Sequence, residues 1–128
     1  MFNGIIYKIG VIEKLIKAKN SLEIIVKSQI NFKKNEIGNS INCNGACLTL
    51  TNIDKNLITF YLSKETLNKT NFKYVKKGDM INIEKSLSYG EKISGHYVQG
   101  HIDTTAKVLR IMTLSKTWIV FFSVNKFL

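Results

Sequence analysis

Short β-branched and apolar runs recur along the chain, each stopped by a turn signal. This pattern constrains the fold more than any other feature. The runs are Ile5 to Leu15, Leu22 to Val26, Cys47 to Thr51, Leu57 to Leu62, Met80 to Ile83, Ala106 to Ile111 and Trp118 to Val124. Between them lie Lys19-Asn20-Ser21, Asn39-Ser40, Asp54-Lys55-Asn56, Lys77-Gly78-Asp79 and Tyr89-Gly90-Glu91. Many short strands with regular turns predict an all-β sandwich or barrel. Asp54-Lys55-Asn56, set between two apolar runs, predicts a hairpin. One short helix is expected over Ser63 to Thr70, with Ser63 as its cap, Glu65 in its first turn and Lys69 near its end; a polar loop is the plainer alternative.

The chemistry-bearing stretch runs from Gly38 to Leu50. It places the Ser40 hydroxyl, an Asn44-Gly45 turn, the Cys47 thiol and the Thr49 hydroxyl within a dozen residues. Asn44-Gly45 tolerates positive φ and turns the chain sharply. In a strand from Cys47 to Leu50, alternation sends Cys47 and Thr49 to one face and Leu48 and Leu50 to the other. A thiol and a hydroxyl on one face, beside a glycine turn, suggest a lined pocket. The bland alternative is that Cys47 is a small buried hydrophobe.

Size and charge narrow the function classes. With 128 residues and a 45% hydrophobic fraction, the chain suits one ordinary domain with a real core. No apolar run is long enough to span a membrane as a helix. The apolar start, Met1 to Ile12, lacks a basic segment ahead of it and carries Lys8, so a signal peptide is not expected. Cys43 and Cys47 lie four apart, and His96 and His101 are too few and too distant to complete a zinc site, so no metal is expected. Reduced thiols and a cytoplasmic location are the default. The net charge is +10, yet it is almost all lysine, with Arg110 the single arginine. Nucleic-acid readers favour arginine and aromatic residues along a basic groove. The lysines here are scattered, so the charge reads as a solvated surface and no nucleic-acid partner is expected.

The chain also begins to repeat itself. Gly4-Ile5-Ile6 matches Gly100-His101-Ile102, and the same offset carries Ile12 onto Val108, Leu15 onto Ile111, and Leu22 to Val26 onto Trp118 to Phe122. The second copy has its opening strands but no counterpart of the Ser40 to Leu50 motif.

These residues together resemble the riboflavin synthase family, whose members carry two tandem lumazine-binding barrels. The start Met1-Phe2-Asn3-Gly4-Ile5 resembles the family opening, with Asn3 in place of threonine. Gly38-x-Ser40 followed by Asn44-Gly45-x-Cys47-Leu48-Thr49 resembles its central signature. Lys64-Glu65-Thr66-Leu67, Thr70-Asn71, Gly78-Asp79 and Asn82-Ile83-Glu84 resemble the later elements of the first barrel. Gly95-His96 and Gly100-His101-Ile102-Asp103 resemble the hinge into the second. The resemblance implies a six-stranded Greek-key barrel with a short helix over 1–96, and an incomplete second copy over 97–128.

The implied reaction is a dismutation of two 6,7-dimethyl-8-ribityllumazine molecules. They exchange a four-carbon unit to give riboflavin and a ribitylamino-pyrimidinedione, with no metal or redox cofactor. The family's active site lies between the first barrel of one subunit and the second barrel of a neighbour, in a homotrimer. A proton must leave an acidic methyl group and a nucleophile must add to the partner ring. The resemblance points to Ser40, Cys47 and His101 as catalytic. It extends the ring-contacting set over Cys47, Leu48 and Thr49, over Tyr61, Leu62, Ser63, Lys64, Glu65 and Thr66, and over Gly100, His101 and Ile102. Gly4, Ile5 and Ile6 offer close backbone approach to the ring rim. Ser63, Glu65, Thr66 and Thr49 offer polar groups to the polyol tail. Tyr61 and Ser63 depart from the family pattern. Plainer roles stand beside these: Ser40 as a turn cap, His101 and His96 as structural histidines, Glu65 as a helix-start acid. The ligand is expected at the mouth of the cylinder. The alternative function is a non-catalytic lumazine or flavin binder of the same fold. The last strands, Gly100 to Leu128, are expected to be poorly anchored.

Overall fold

The computed structural model of the chain describes residues 1–124. Its barrel strands are β1 (Lys8–Ala18), β2 (Ser21–Ser28), β3 (Ser40–Cys43), β4 (Ala46–Asp54), β5 (Leu57–Ser63) and β6 (Met80–Lys85). They close in the order β1-β2-β5-β4-β3-β6, every pair antiparallel. Closure leaves this sheet no open edge. The link from β2 to β3 and the link from β5 to β6 both cross an end of the barrel, which gives the expected Greek-key path. The second link carries α1 (Lys64–Lys69) and a 3-10 turn (Asn71–Tyr74).

Alternation explains most of the interior. Leu22, Ile24 and Val26 of β2, Leu48 and Leu50 of β4, and Ile58, Phe60 and Leu62 of β5 all point inward and are buried. Phe72, from the 3-10 turn, joins the same core. In β1 the register shifts between Ile12 and Lys14. A bulge resets the alternation there, so Ile12 is buried and Leu15, three residues on, still packs on the core.

β3 is the strand that sequence reading passes over, because Ser40-Ile41-Asn42-Cys43 looks like turn chemistry. It is only four residues long, and Ile41, Asn42 and Cys43 are all buried. The cost of burying Asn42 is offset by a partner: its Nδ2 donates to Glu84 Oε2 at 2.8 Å. Glu84 is itself buried, and its Oε1 accepts from the backbone amides of Asn3 at 2.6 Å and Gly4 at 3.0 Å. A carboxylate saturated by donors is stable in a dry site. Here it pins the N-terminal segment over the seam between β3 and β6. The run expected to begin at Ile5 therefore starts only at Lys8, since the amides of residues 3 and 4 are held by Glu84.

Beyond the barrel, among the described residues, β7 (Ala106–Leu114) pairs with β8 (Thr117–Val124) alone. Its register repeats that of β1 and β2 at the offset that carries Gly4 onto Gly100. Gly10↔Ser28 becomes Ala106↔Val124, Ile12↔Val26 becomes Val108↔Phe122, and the bulge after Ile12 reappears after Val108. The repeat read from sequence is thus a repeat of strand pairing and of irregularity. Residues equivalent to the buried Ile12, Leu22 and Val26 are here the exposed Val108, Trp118 and Phe122. Among the described residues no helix is long and apolar enough to cross a membrane.

Candidate functional site

The Asn44-Gly45 turn joins β3 to β4 with both residues at positive φ, 50° and 93°. Two such residues make the tight hairpin link that matches strand twist. The Asn42 side-chain oxygen accepts from the Gly45 amide at 2.8 Å and braces the turn. Cys47 then points away from the barrel interior, between the inward-facing Ala46 and Leu48. Its thiol is exposed, whereas Cys43 is buried and burial pushes its thiol up. The accessible candidate nucleophile is thus on the outer wall, not at the mouth of the cylinder where the sequence led us to expect the ligand.

A strap of chain crosses in front of Cys47. Phe2 and Val98 exchange backbone hydrogen bonds, each 2.9 Å, and the Cys47 amide donates to the Gly100 carbonyl at 2.9 Å. A Cβ at position 100 would sit 2.5 Å from the Cys47 Cβ and 2.5 Å from its amide nitrogen, so only glycine permits this approach. The third wall is α1. Ser63 caps it by accepting from the Thr66 amide at 3.1 Å, as expected, and its hydroxyl also lies 3.1 Å from the Thr66 hydroxyl. The Thr70 hydroxyl donates back to the Thr66 carbonyl at 2.7 Å.

These walls border an open-sided cavity of about 400 Å³, within the usual range for small-molecule sites. Ser40, Cys47, Glu65, Thr66, Gly100, His101 and Ile102 all line it, joined by Met1, Phe2, Ala46, Lys69, Thr70 and Gln99. The three candidate catalytic residues therefore come together. Glu65 Oε1 pairs with Lys69 Nζ at 3.0 Å. The Lys69 hydrogen bond and charge, with His101 nearby, hold the Glu65 carboxyl below its usual range.

The rest of the expected set sits elsewhere. The side chains of Leu48 and Leu62 point into the barrel core and do not line this cavity. The inward half of the alternation claims them. Thr49 lies opposite Ser40 and also opposite Tyr61, outside the cavity on the same wall. Ser63, the cap itself, and Lys64, the first residue of α1, do not line the cavity. Gly4, Ile5 and Ile6 do not line the cavity, and the Gly4 amide is committed to Glu84. Sequence reading misses Met1, Phe2, Ala46, Gln99, Lys69 and Thr70. Only the last two carry a signal, as one helical turn beyond Glu65 and Thr66. A larger, polar groove flanks the site between residues 29–41 and 83–94. Its Lys85 is already engaged, by Glu36 at 2.7 Å, the Asn31 carbonyl at 2.7 Å and the Phe32 ring.

Known proteins resemble the chain in sequence and in fold. The lumazine-binding domain family model matches residues 3–86. The riboflavin synthase of Bacillus subtilis strain 168 is 36% identical over 111 residues, covering 87% of this chain and 52% of that one. The Escherichia coli K12 enzyme is 42% identical over 90 residues, covering 70% of this chain and 42% of its own. The enzyme of Buchnera aphidicola from Schizaphis graminum is 37% identical over 126 residues, covering 98% and 61%. The chain thus spans roughly half the length of the curated relatives it matches. Among solved structures, LumP complexed with 6,7-dimethyl-8-(1'-D-ribityl) lumazine superposes with a TM-score of 0.80 at 24% identity, over 98% of this chain and 70% of that one. LumP complexed with riboflavin gives 0.79. At that identity the likeness concerns the fold.

Proposed function

The chain belongs to the lumazine-binding domain family, and from that premise we propose that its outer-wall cavity binds 6,7-dimethyl-8-ribityllumazine as one half of a riboflavin synthase site. The observation that carries this reading is the convergence of Ser40, Cys47, Glu65, Thr66 and the Gly100 to Ile102 strap on one cavity.

A flat heterocycle needs an apolar slot with a few backbone groups on its rim. Phe2, Ala46 and Ile102 supply the slot, and the strap supplies the rim. A ribityl tail needs hydroxyl and carboxylate partners, which Thr66, Thr70 and Glu65 supply. Ser40, Cys47 and His101 then flank the ring, as nucleophile and proton-transfer groups. Thr49 and Tyr61 extend the wall beyond the ring edge. The cavity is open on one side, so a facing surface is needed to bring up a second lumazine and exclude water. In the proposed assembly that surface comes from a second repeat in a neighbouring subunit of a homotrimer, in the cytoplasm. The chain divides into a first unit at 1–96 and the start of a second at 97–128. The strap belongs to the second by its repeat and to the first by its contacts.

A second reading is a lumazine or flavin binder without turnover. It is favoured by one specific observation: β7 and β8 pair with nothing but each other among the described residues. Titration of the purified chain with lumazine and riboflavin, followed by fluorescence, tests binding. A riboflavin-formation assay on the same sample separates the readings. Saturable binding with turnover supports the synthase, and binding without turnover supports the binder. No binding of either compound refutes both.

A further inference from the structure

The cavity lining includes an apolar set, Phe2, Ala46 and Ile102, and a polar set on α1, Glu65, Thr66 and Lys69. If a ring-and-polyol ligand lies in this cavity, as proposed above, its ring takes the apolar set and its polar tail the α1 set. The tip then meets an ion pair, Glu65 Oε1 to Lys69 Nζ at 3.0 Å, whose side chains are 72% and 38% exposed respectively. We propose that this pair is a charge filter: it sets the choice between a tail ending in a hydroxyl and a tail ending in a phosphate, with Glu65 disfavouring the phosphate.

The chemistry is direct. A terminal hydroxyl donates to the Glu65 carboxylate while Lys69 stays paired with it. A phosphate monoester carries about one and a half to two negative charges near neutral pH. It must either sit against the Glu65 carboxylate or draw Lys69 away from it. Because both side chains are solvated, either cost is modest and falls with salt. A carboxylate one contact away from a near-dianion weakens its binding on the order of tenfold in water-like surroundings.

The test measures affinities for riboflavin and flavin mononucleotide in parallel, in the unmodified chain and in the variants E65Q and K69M, at low and high salt. The unmodified chain is expected to bind riboflavin several-fold tighter. E65Q shifts the affinity ratio toward the phosphate by about tenfold, and K69M shifts it the other way by about fivefold. High salt compresses both shifts. An equal ratio in all three chains, or a preference of the unmodified chain for the phosphate, overturns the filter while leaving the binding site intact. Failure to bind riboflavin at all overturns the filter together with the site it rests on.

Discussion

Replacing Gly100 with alanine tests the strap directly. The strap is tied to the barrel by the backbone pairs of Val98 with Phe2 and of Gly100 with Cys47. The new methyl would lie 2.5 Å from both the Cβ and the amide nitrogen of Cys47, far inside contact distance. The near atoms are backbone, or one bond from it, so β4 cannot yield and the strap must lift. The variant forfeits the Cys47–Gly100 hydrogen bond, about 1 kcal/mol, and adds about 1–3 kcal/mol of crowding. Because the strap lies outside the barrel core, the barrel's cooperative unfolding should hardly change. The loss should surface locally, as faster hydrogen exchange at the Cys47 amide and a lumazine or riboflavin affinity at least about tenfold weaker. Native-state exchange and a fluorescence titration read these separately. Unchanged protection of the Cys47 amide, with unchanged affinity, refutes the strap.

Other perturbations probe the anchor, the thiols and the ion pair. Glu84→Ala strands the amides of Asn3, Gly4 and Asn42, and should cost about 3 kcal/mol or more in urea unfolding; a loss under about 1 kcal/mol speaks against the anchoring role. Iodoacetamide should label the exposed Cys47 and spare Cys43, whose burial keeps it protonated, and bound lumazine should protect Cys47. Glu65 titrates below the usual carboxylate range because Lys69 favours its charged form. The ion pair's contribution is therefore present above that range and lost as the pH falls through the lowered value; carboxyl NMR should show the Glu65 midpoint rising in K69M. Trp118, the single tryptophan, is 72% exposed, so its emission should be water-like and readily quenched by iodide.

Much of the barrel is legible in residue order. β2 and β5 alternate throughout, and β4 does so from Ala46 to Leu50, before its register shifts between Leu50 and Asn52; each has one face in the core and one outside, and such strands declare themselves. β3 does not. It is short and buries Asn42, a polar residue whose amide nitrogen is satisfied by Glu84, far along the chain, and whose oxygen is satisfied by the Gly45 amide. The β1 bulge shows in the sequence only as two inward residues three apart, Ile12 and Leu15. The site is legible in its residue types but not in its location. Alternation sets Cys47 opposite Leu48, so an inward Leu48 means an outward thiol. The same reasoning keeps the side chains of Leu48 and Leu62 in the core and out of this cavity. Phe2 and Gln99 reach the cavity through long-range strand pairing and the strap, and neither leaves a local pattern.

The most direct measurement is amide chemical-shift mapping of the isotope-labelled chain as 6,7-dimethyl-8-ribityllumazine is added. The largest changes are expected at Cys47, Glu65, Thr66 and Gly100 to Ile102, with little movement around Asn31 and Lys85. Changes centred on that neighbouring groove, or none at saturating ligand, contradict the placement of the ligand on the outer wall.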